Sequence, residues 1–445
     1  MNKIKQIFQK EPEVVRNYAF LTLIQAVNIL VPLVTTPYII QVMGAENFGK
    51  TVVCQAFLIF PITLCEFGFN VTGSRDVAIQ KHDLTRLSRT FSEVIAVKTL
   101  LILLSLGLFL AALFLIPTFK SEWLLYVLSL TMLINGTFDP LWFFIGAEEM
   151  RFMAYVNLLN KAVYFAAIFL LIKVPSDYIW LNFILGFSGI IALITGYIYL
   201  FHRFKLTLVR PSIAAIFARI KQNLPIFASS LAVQSCLSAS VLILRVFQSD
   251  YVVGIFGLVQ RIITLARTLL TSLAMAVYAK VCLAINRGDK APLISLIRNA
   301  YLPFIGLMII GLSIGYFLSP VVIQFFLGKI DPNAVALLRG HLLIPLIVVF
   351  NIPPTLFIQA LDKRRLYFII VSVTAIFSLF LTWFLTREFD MWGTMWATIF
   401  SEIILVVGVS VGAWRIRKSF VVSSLATDNL KSFVIQKEQN SKLTN

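Results

Sequence analysis

Residues 18–42 read YAFLTLIQAVNILVPLVTTPYIIQV, twenty-odd positions without one charged side chain. A helix rises about 1.5 Å per residue, so this run matches the ~30 Å hydrocarbon core of a bilayer. Lys3, Lys5 and Lys10 precede it. The run is too long for a signal-peptide core and has no small-residue cleavage site, so it is expected to stay as a helix. Similar runs recur at roughly 50–72, 92–116, 122–146, 153–174 and 178–200. A second set follows at roughly 223–247, 251–274, 293–318, 334–360, 366–386 and 391–414. Composition agrees: 59% of residues are hydrophobic and 13% charged, against roughly 45–50% and about 25% in soluble domains. The expected fold is an all-α integral membrane protein of about twelve transmembrane helices.

The basic residues test this map. Between the runs, 27 Lys and Arg fall on one side and 5 on the other, with six inside spans. A miscounted span would invert every later loop and erase that bias, so both termini are expected in the cytoplasm. The net charge of +17 is therefore a topology signal, and a nucleic-acid partner is not expected. Cys54, Cys65, Cys236 and Cys282 lie in apolar runs without ligand spacing and read as small buried hydrophobes, with no metal site.

The longest internal connection separates a lobe at 1–200 from one at 223–414, with a linker at 201–222 and a polar cytoplasmic tail at 415–445 that reads, from about 421, as disordered or loosely membrane-associated. Within the linker, Ile213, Ile216, Phe217 and Ile220 follow helical spacing beside Arg210, Arg219 and Lys221, which suggests an amphipathic helix on the cytoplasmic surface. Gly49 to Gln55 and Gly254 to Gln260 share the pattern G-x5-Q at equivalent places in the two halves. Such an echo fits the repeated construction of secondary transporters.

The order of Pro, Gly, Asn and aromatic positions in QAVNILVPLVTTPYIIQVMGAENFG and EFGFNVTGSRDVA, between Gln25 and Asp83, resembles the N-terminal signature of the polysaccharide transport (Wzx-type O-antigen flippase) family. That family belongs to the multidrug/oligosaccharidyl-lipid/polysaccharide exporter superfamily. FDPLWFFIGAEEM, continuing to Lys161, resembles the family's fourth and fifth helices, while NIPPTLFIQALDKRR at 351–365 departs from it through consecutive prolines. The resemblance implies no enzyme and no cofactor. It implies two six-helix lobes around a central cavity, in a carrier of the bacterial inner membrane that moves undecaprenyl-pyrophosphate-linked oligosaccharide repeat units to the periplasmic leaflet by alternating access. A proton or sodium ion is the candidate coupling ion, and a polysaccharide polymerase and chain-length regulator are the candidate protein partners.

The residues carry chemistry of their own. A charge inside a span costs about 2.5–3.5 kcal/mol on insertion scales and needs a reason. Lys161 and Arg261 fall near mid-bilayer and are the leading candidates for a cationic cavity that grips an anionic cargo, with Arg267 two turns away. Lys98, Arg245 and Arg339 can instead snorkel to an interface; Lys98 and Arg245 remain secondary candidates. Glu66, Asp139 and Glu402 are candidates for ion coupling or for pairing with these bases, and Glu402 is expected to meet an Arg of the second lobe. Asp139 precedes Pro140, which can kink its helix. Arg75 and Asp76 form either a gating ion pair or a solvated turn. Gln25 and Asn28 share one face of the first span, and Asn351 precedes Pro353 and Pro354; such amides can meet sugar hydroxyls or simply join helices. Phosphate loops, zinc spacings and nucleophile–base sets are absent from the sequence. The alternatives are a drug or cation antiporter of the same superfamily, whose cargo would favour acidic walls, and a membrane polysaccharide polymerase or acyltransferase, which would need a large external loop or a catalytic His/Asp set.

Overall fold

A computed structural model describes residues 12–286, 295–361 and 363–442, with side chains described only within 26–416. Among the described residues every regular element is a helix. Helix α1 spans Pro12–Glu66, far longer than one crossing, and breaks at Gly44, where φ is 80°; glycine holds that angle without the Cβ clash other residues meet. Its second part ends at Phe67 and Gly68, both at positive φ, before α2 (Phe69–Gln80). Asp83 caps α3 (Leu84–Leu115), its carboxylate accepting from the Arg86 amide at 3.1 Å.

The fourth expected span is a chain of short helices: α4 (Pro117–Ser121), α5 (Trp123–Leu128), α6 (Leu130–Phe138) and α7 (Leu141–Ala147). The α6–α7 break has a local cause. Asp139, preceding Pro140, is pushed out of helical backbone to ψ 120°, and its side chain accepts from the Leu141 amide at 3.0 Å. Helices α8 (Met150–Leu171) and α9 (Tyr178–Phe204) complete the first half.

The second half comprises α10 (Ile213–Phe247), α11 (Asp250–Asn286), α12 (Leu302–Leu327), α13 (Pro332–His341), α14 (Leu343–Ala360) and α15 (Arg364–Lys442). Helix α15 breaks at Phe389–Asp390 and then runs on through the tail where the sequence suggested disorder. Pro353 and Pro354 sit inside an unbroken α14, which ends further on, at Ala360.

Among the described residues, nine helices are long and apolar enough to cross a membrane, or ten if one bent pair counts as a single span. Two of them, at 26–80 and 365–416, contain the breaks at Gly44 and Phe389–Asp390, which is compatible with twelve crossings. The outward faces present exposed apolar side chains such as Leu103, Leu115, Phe317 and Ile376. The protein is a multi-pass membrane protein.

The connection differs from the separate surface helix expected at 201–222. After Lys205 the chain runs extended along α3, the Thr207 and Val209 amides donating to Ser88 and Ser92 hydroxyls at 3.2 and 2.9 Å. The amphipathic stretch forms the first turns of α10, with Ser212 as its cap. Ile216 and Ile220 pack inward while Ile213 and Phe217 are exposed.

At the Lys/Arg-poor end the halves meet closely. A Cβ on Gly49 would lie 1.8 Å from the Asp250 carbonyl oxygen, and one on Gly254 would lie 1.9 Å from that of Ala45. Small residues let helix backbones approach this way in lipid, where packing and polar contacts hold helices together. Ile39, Met43 and Phe48 of the first half share a buried cluster there with Leu258 and Phe326 of the second.

Candidate functional site

Lys161 on α8 and Arg261 on α11 come from opposite halves, near enough for their charges to act on one another. Neither has a carboxylate within 4 Å among the described residues. Arg261 instead donates to the Thr36 hydroxyl at 3.4 Å and lies over the Phe48 ring at 5.6 Å. Its charge also reaches Tyr164, which is buried on α8. Two like charges held together at this depth repel, and an anion between them relieves that cost. Asn28 is half-buried on α1; the Gln25 side chain lies outside the described residues.

The other candidate cations are tied up. Lys98 reaches no interface: it is 2% exposed and donates to the Thr137 carbonyl at 2.7 Å. The charges of Asp139 and Glu66 act on it there, and Asn70 donates to Glu66. Snorkelling fails because the side chain points into the first half rather than along the helix to a headgroup. Arg245 pairs with Asp250 at 2.6 Å at the Lys/Arg-poor end. Arg339 is half-buried, bonding Ser319 at 2.9 Å beneath Tyr316.

Arg267 meets Glu402 at 2.6 Å, the pairing expected of that carboxylate. Both line a cavity of about 790 Å3 between α10, α11, α14 and α15, into which Gln260 and Asn351 also project. Asn351 accepts from Thr355 at 2.9 Å.

At the Lys/Arg-rich end Asp76 pairs closely with a residue other than Arg75. Arg75 is largely exposed and 3.6 Å from Asp76. The close partner of Asp76 is Arg219, which also donates to Glu93 at 2.9 Å and Thr90 at 3.3 Å. One turn further along α10, Asn223 accepts from Thr72 at 2.5 Å, and Phe227 stacks on Phe67 with ring centres 4.7 Å apart. Sequence reasoning missed Arg219 because it stands among loop cations. The available signal was its place between Ile216 and Asn223 at helical spacing, on the inward face.

Comparison with known proteins accords with this architecture. An inward-facing multidrug resistance MATE family transporter of the MOP superfamily superposes with a TM-score of 0.67 at 15% identity, covering 89% of this chain and 99% of that one. That likeness establishes the fold. A protein of Escherichia coli K12 named "Putative O-antigen transporter" is 26% identical over 274 residues, 61% of this chain and 66% of the relative. A Shigella dysenteriae protein of the same name is 23% identical over 398 residues, 88% and 98% of the two chains. The polysaccharide biosynthesis protein family matches residues 14–278, more than half the chain, and the protein belongs to that family.

Proposed function

We propose that this protein is a transporter that moves a lipid-linked saccharide of the O-antigen type across the bacterial inner membrane, from the cytoplasmic to the periplasmic leaflet. The observation that carries the reading is the pair Lys161 and Arg261, two interior cations from opposite halves without a carboxylate partner among the described residues. A pyrophosphate-linked cargo supplies the missing anion, and Arg grips its oxygens while Lys neutralises charge. A cation carrier would instead want free carboxylates there. Alternating access would rock the halves about the cationic pair. Both termini lie in the cytoplasm, so the Lys/Arg-rich end with its Arg219 contacts faces inward. Glu66 and Asp139, gathered about Lys98, are the candidate proton or sodium sites.

The test is complementation of a deletion strain, reading surface polysaccharide and the lipid-linked repeat units held in the cytoplasmic leaflet. Wild type restores polymer. Lys161→Ala or Arg261→Ala, present at normal levels in the membrane, lowers export ten-fold or more, as loss of a charge-assisted contact of about 1.5–3 kcal/mol requires. Lys161→Arg retains much of it. Normal polymer in the deletion strain, or repeat units still reaching the periplasmic face, would refute the reading.

A further inference from the structure

The second-half cavity has an unusual wall for a membrane interior. Among the described residues that line it, the only charged ones are Arg267 and Glu402, which pair and leave that part of the wall close to neutral. Hydroxyls and amides supply the remaining polarity, among them Gln260, Asn351, Thr374 and Ser378. Ile344, Leu405 and other apolar groups fill the space between. Its 790 Å3 falls in the range of roughly 300–1,000 Å3 typical of small-molecule sites.

Two buried acceptors on this wall have no hydrogen-bond partner among the described residues. One is Glu402 Oε2, since only Oε1 meets Arg267. The other is Nε2 of His341, a residue with no exposed surface. His341 Nδ1 lies 2.9 Å from the Leu337 carbonyl, which can only accept, so Nδ1 carries the proton and Nε2 of the neutral ring is an acceptor. Buried acceptors left unmet are costly. An uncharged donor, from water or from a ligand, is what either atom accepts.

We propose that this cavity seats the saccharide part of the cargo, an uncharged polyhydroxyl ligand whose hydroxyls exchange hydrogen bonds with wall groups such as Gln260, Asn351, Thr374 and Ser378. The inference rests on the transport reading above and divides the cargo between two places: the anionic headgroup at Lys161 and Arg261, the sugars among the hydroxyls of α11, α14 and α15. Mixed hydroxyls and apolar faces suit sugar rings, which carry both.

Cysteine protection separates the two claims. In purified protein with Cys54, Cys65, Cys236 and Cys282 replaced by alanine and complementation retained, Ser378→Cys reports on the cavity and Thr36→Cys on the cationic pair. Each is labelled with methyl methanethiosulfonate in the presence of undecaprenyl pyrophosphate, of lipid-linked repeat units extracted from the deletion strain, or of tetraphenylphosphonium. The proposal expects the repeat-unit lipid to slow labelling at position 378 at least five-fold, the sugar-free lipid to leave it unchanged, and both lipids to protect position 36. Protection at 378 by the sugar-free lipid or by tetraphenylphosphonium, or no protection there by the repeat unit, overturns the cavity assignment. If position 36 stays protected in those cases, the transport reading survives; if neither lipid protects either position, both fall.

Discussion

Gly49→Ala and Gly254→Ala strike the crossing of α1 and α11 from its two sides. The new Cβ would lie 1.8 or 1.9 Å from a backbone carbonyl oxygen, where carbon–oxygen contacts settle at about 3.3 Å. Backbone cannot swing aside as a side-chain tip can, so the helices must part by more than ~1 Å. Overpacking of this kind costs about 1–3 kcal/mol, and the upper half of that range is expected because the obstacle is backbone. The second substitution enters a gap the first has opened. Its cost is therefore smaller, and the double variant falls short of additivity by an interaction energy of ~0.5–3 kcal/mol. Gly107→Ala and Gly306→Ala, with no atom within 4 Å of the added Cβ, serve as controls and should hold or raise stability, since alanine favours helix by up to ~1 kcal/mol over glycine. Thermal unfolding of the purified protein in one detergent reads all five variants. Neutral single substitutions, or strict additivity in the pair, would show that the two glycines do not share a contact.

Arg219→Met should leave Asp76 and Glu93 buried without their cation, costing about 3–5 kcal/mol, with Arg219→Lys recovering part of it in denaturant titrations; an unchanged midpoint would count against the network. Asp331 caps α13 through the Asn333 and Ala334 amides at 2.9 and 3.1 Å, and Tyr251 donates to it at 2.7 Å. Burial works against ionisation there, but the Tyr251 hydroxyl and these amides hold its carboxyl below the ordinary aspartate value. With the folded value depressed, its stabilising contribution is complete at neutral pH and lost as pH falls through that value. Asp331→Ala should cost ~1 kcal/mol at neutral pH, and the difference from wild type should shrink with acidification; a constant gap would argue against the assignment.

Much of this architecture is legible from one chain because lipid makes hydropathy and charge placement nearly decisive. The break at Gly44, the kink at Asp139–Pro140 and the meeting of Arg267 with Glu402 all follow from local chemistry or from the cost of an unpaired charge. The fate of Lys98 does not. Snorkelling and burial are equally open to a lysine two turns from a span end, and only the positions of Thr137, Glu66 and Asp139 on other helices decide. Arg219 shows the same limit from the other side, since a cation beside a cytoplasmic loop looks like topology until its carboxylates are seen. The cavity is lined by single polar residues such as Gln260, Asn351 and Ser378 on three separate helices, and only the fold brings them together. The echoed G-x5-Q marks equivalent places, but not that the two glycines touch.

That contact also bears on ancestry. Ala45 and Asp250, like Gly49 and Gly254, occupy matching positions in the two halves, and each glycine faces the carbonyl of the other half's earlier residue. Reciprocity of this form is the mark of an isologous interface, in which one patch is its own complement. An even number of spans per half, as the hydropathy map expects, would give both halves the same orientation and set the relating axis along the membrane normal. A half-length chain bearing this glycine would already have had a surface with which to pair with its twin, before fusion joined the copies and let each diverge.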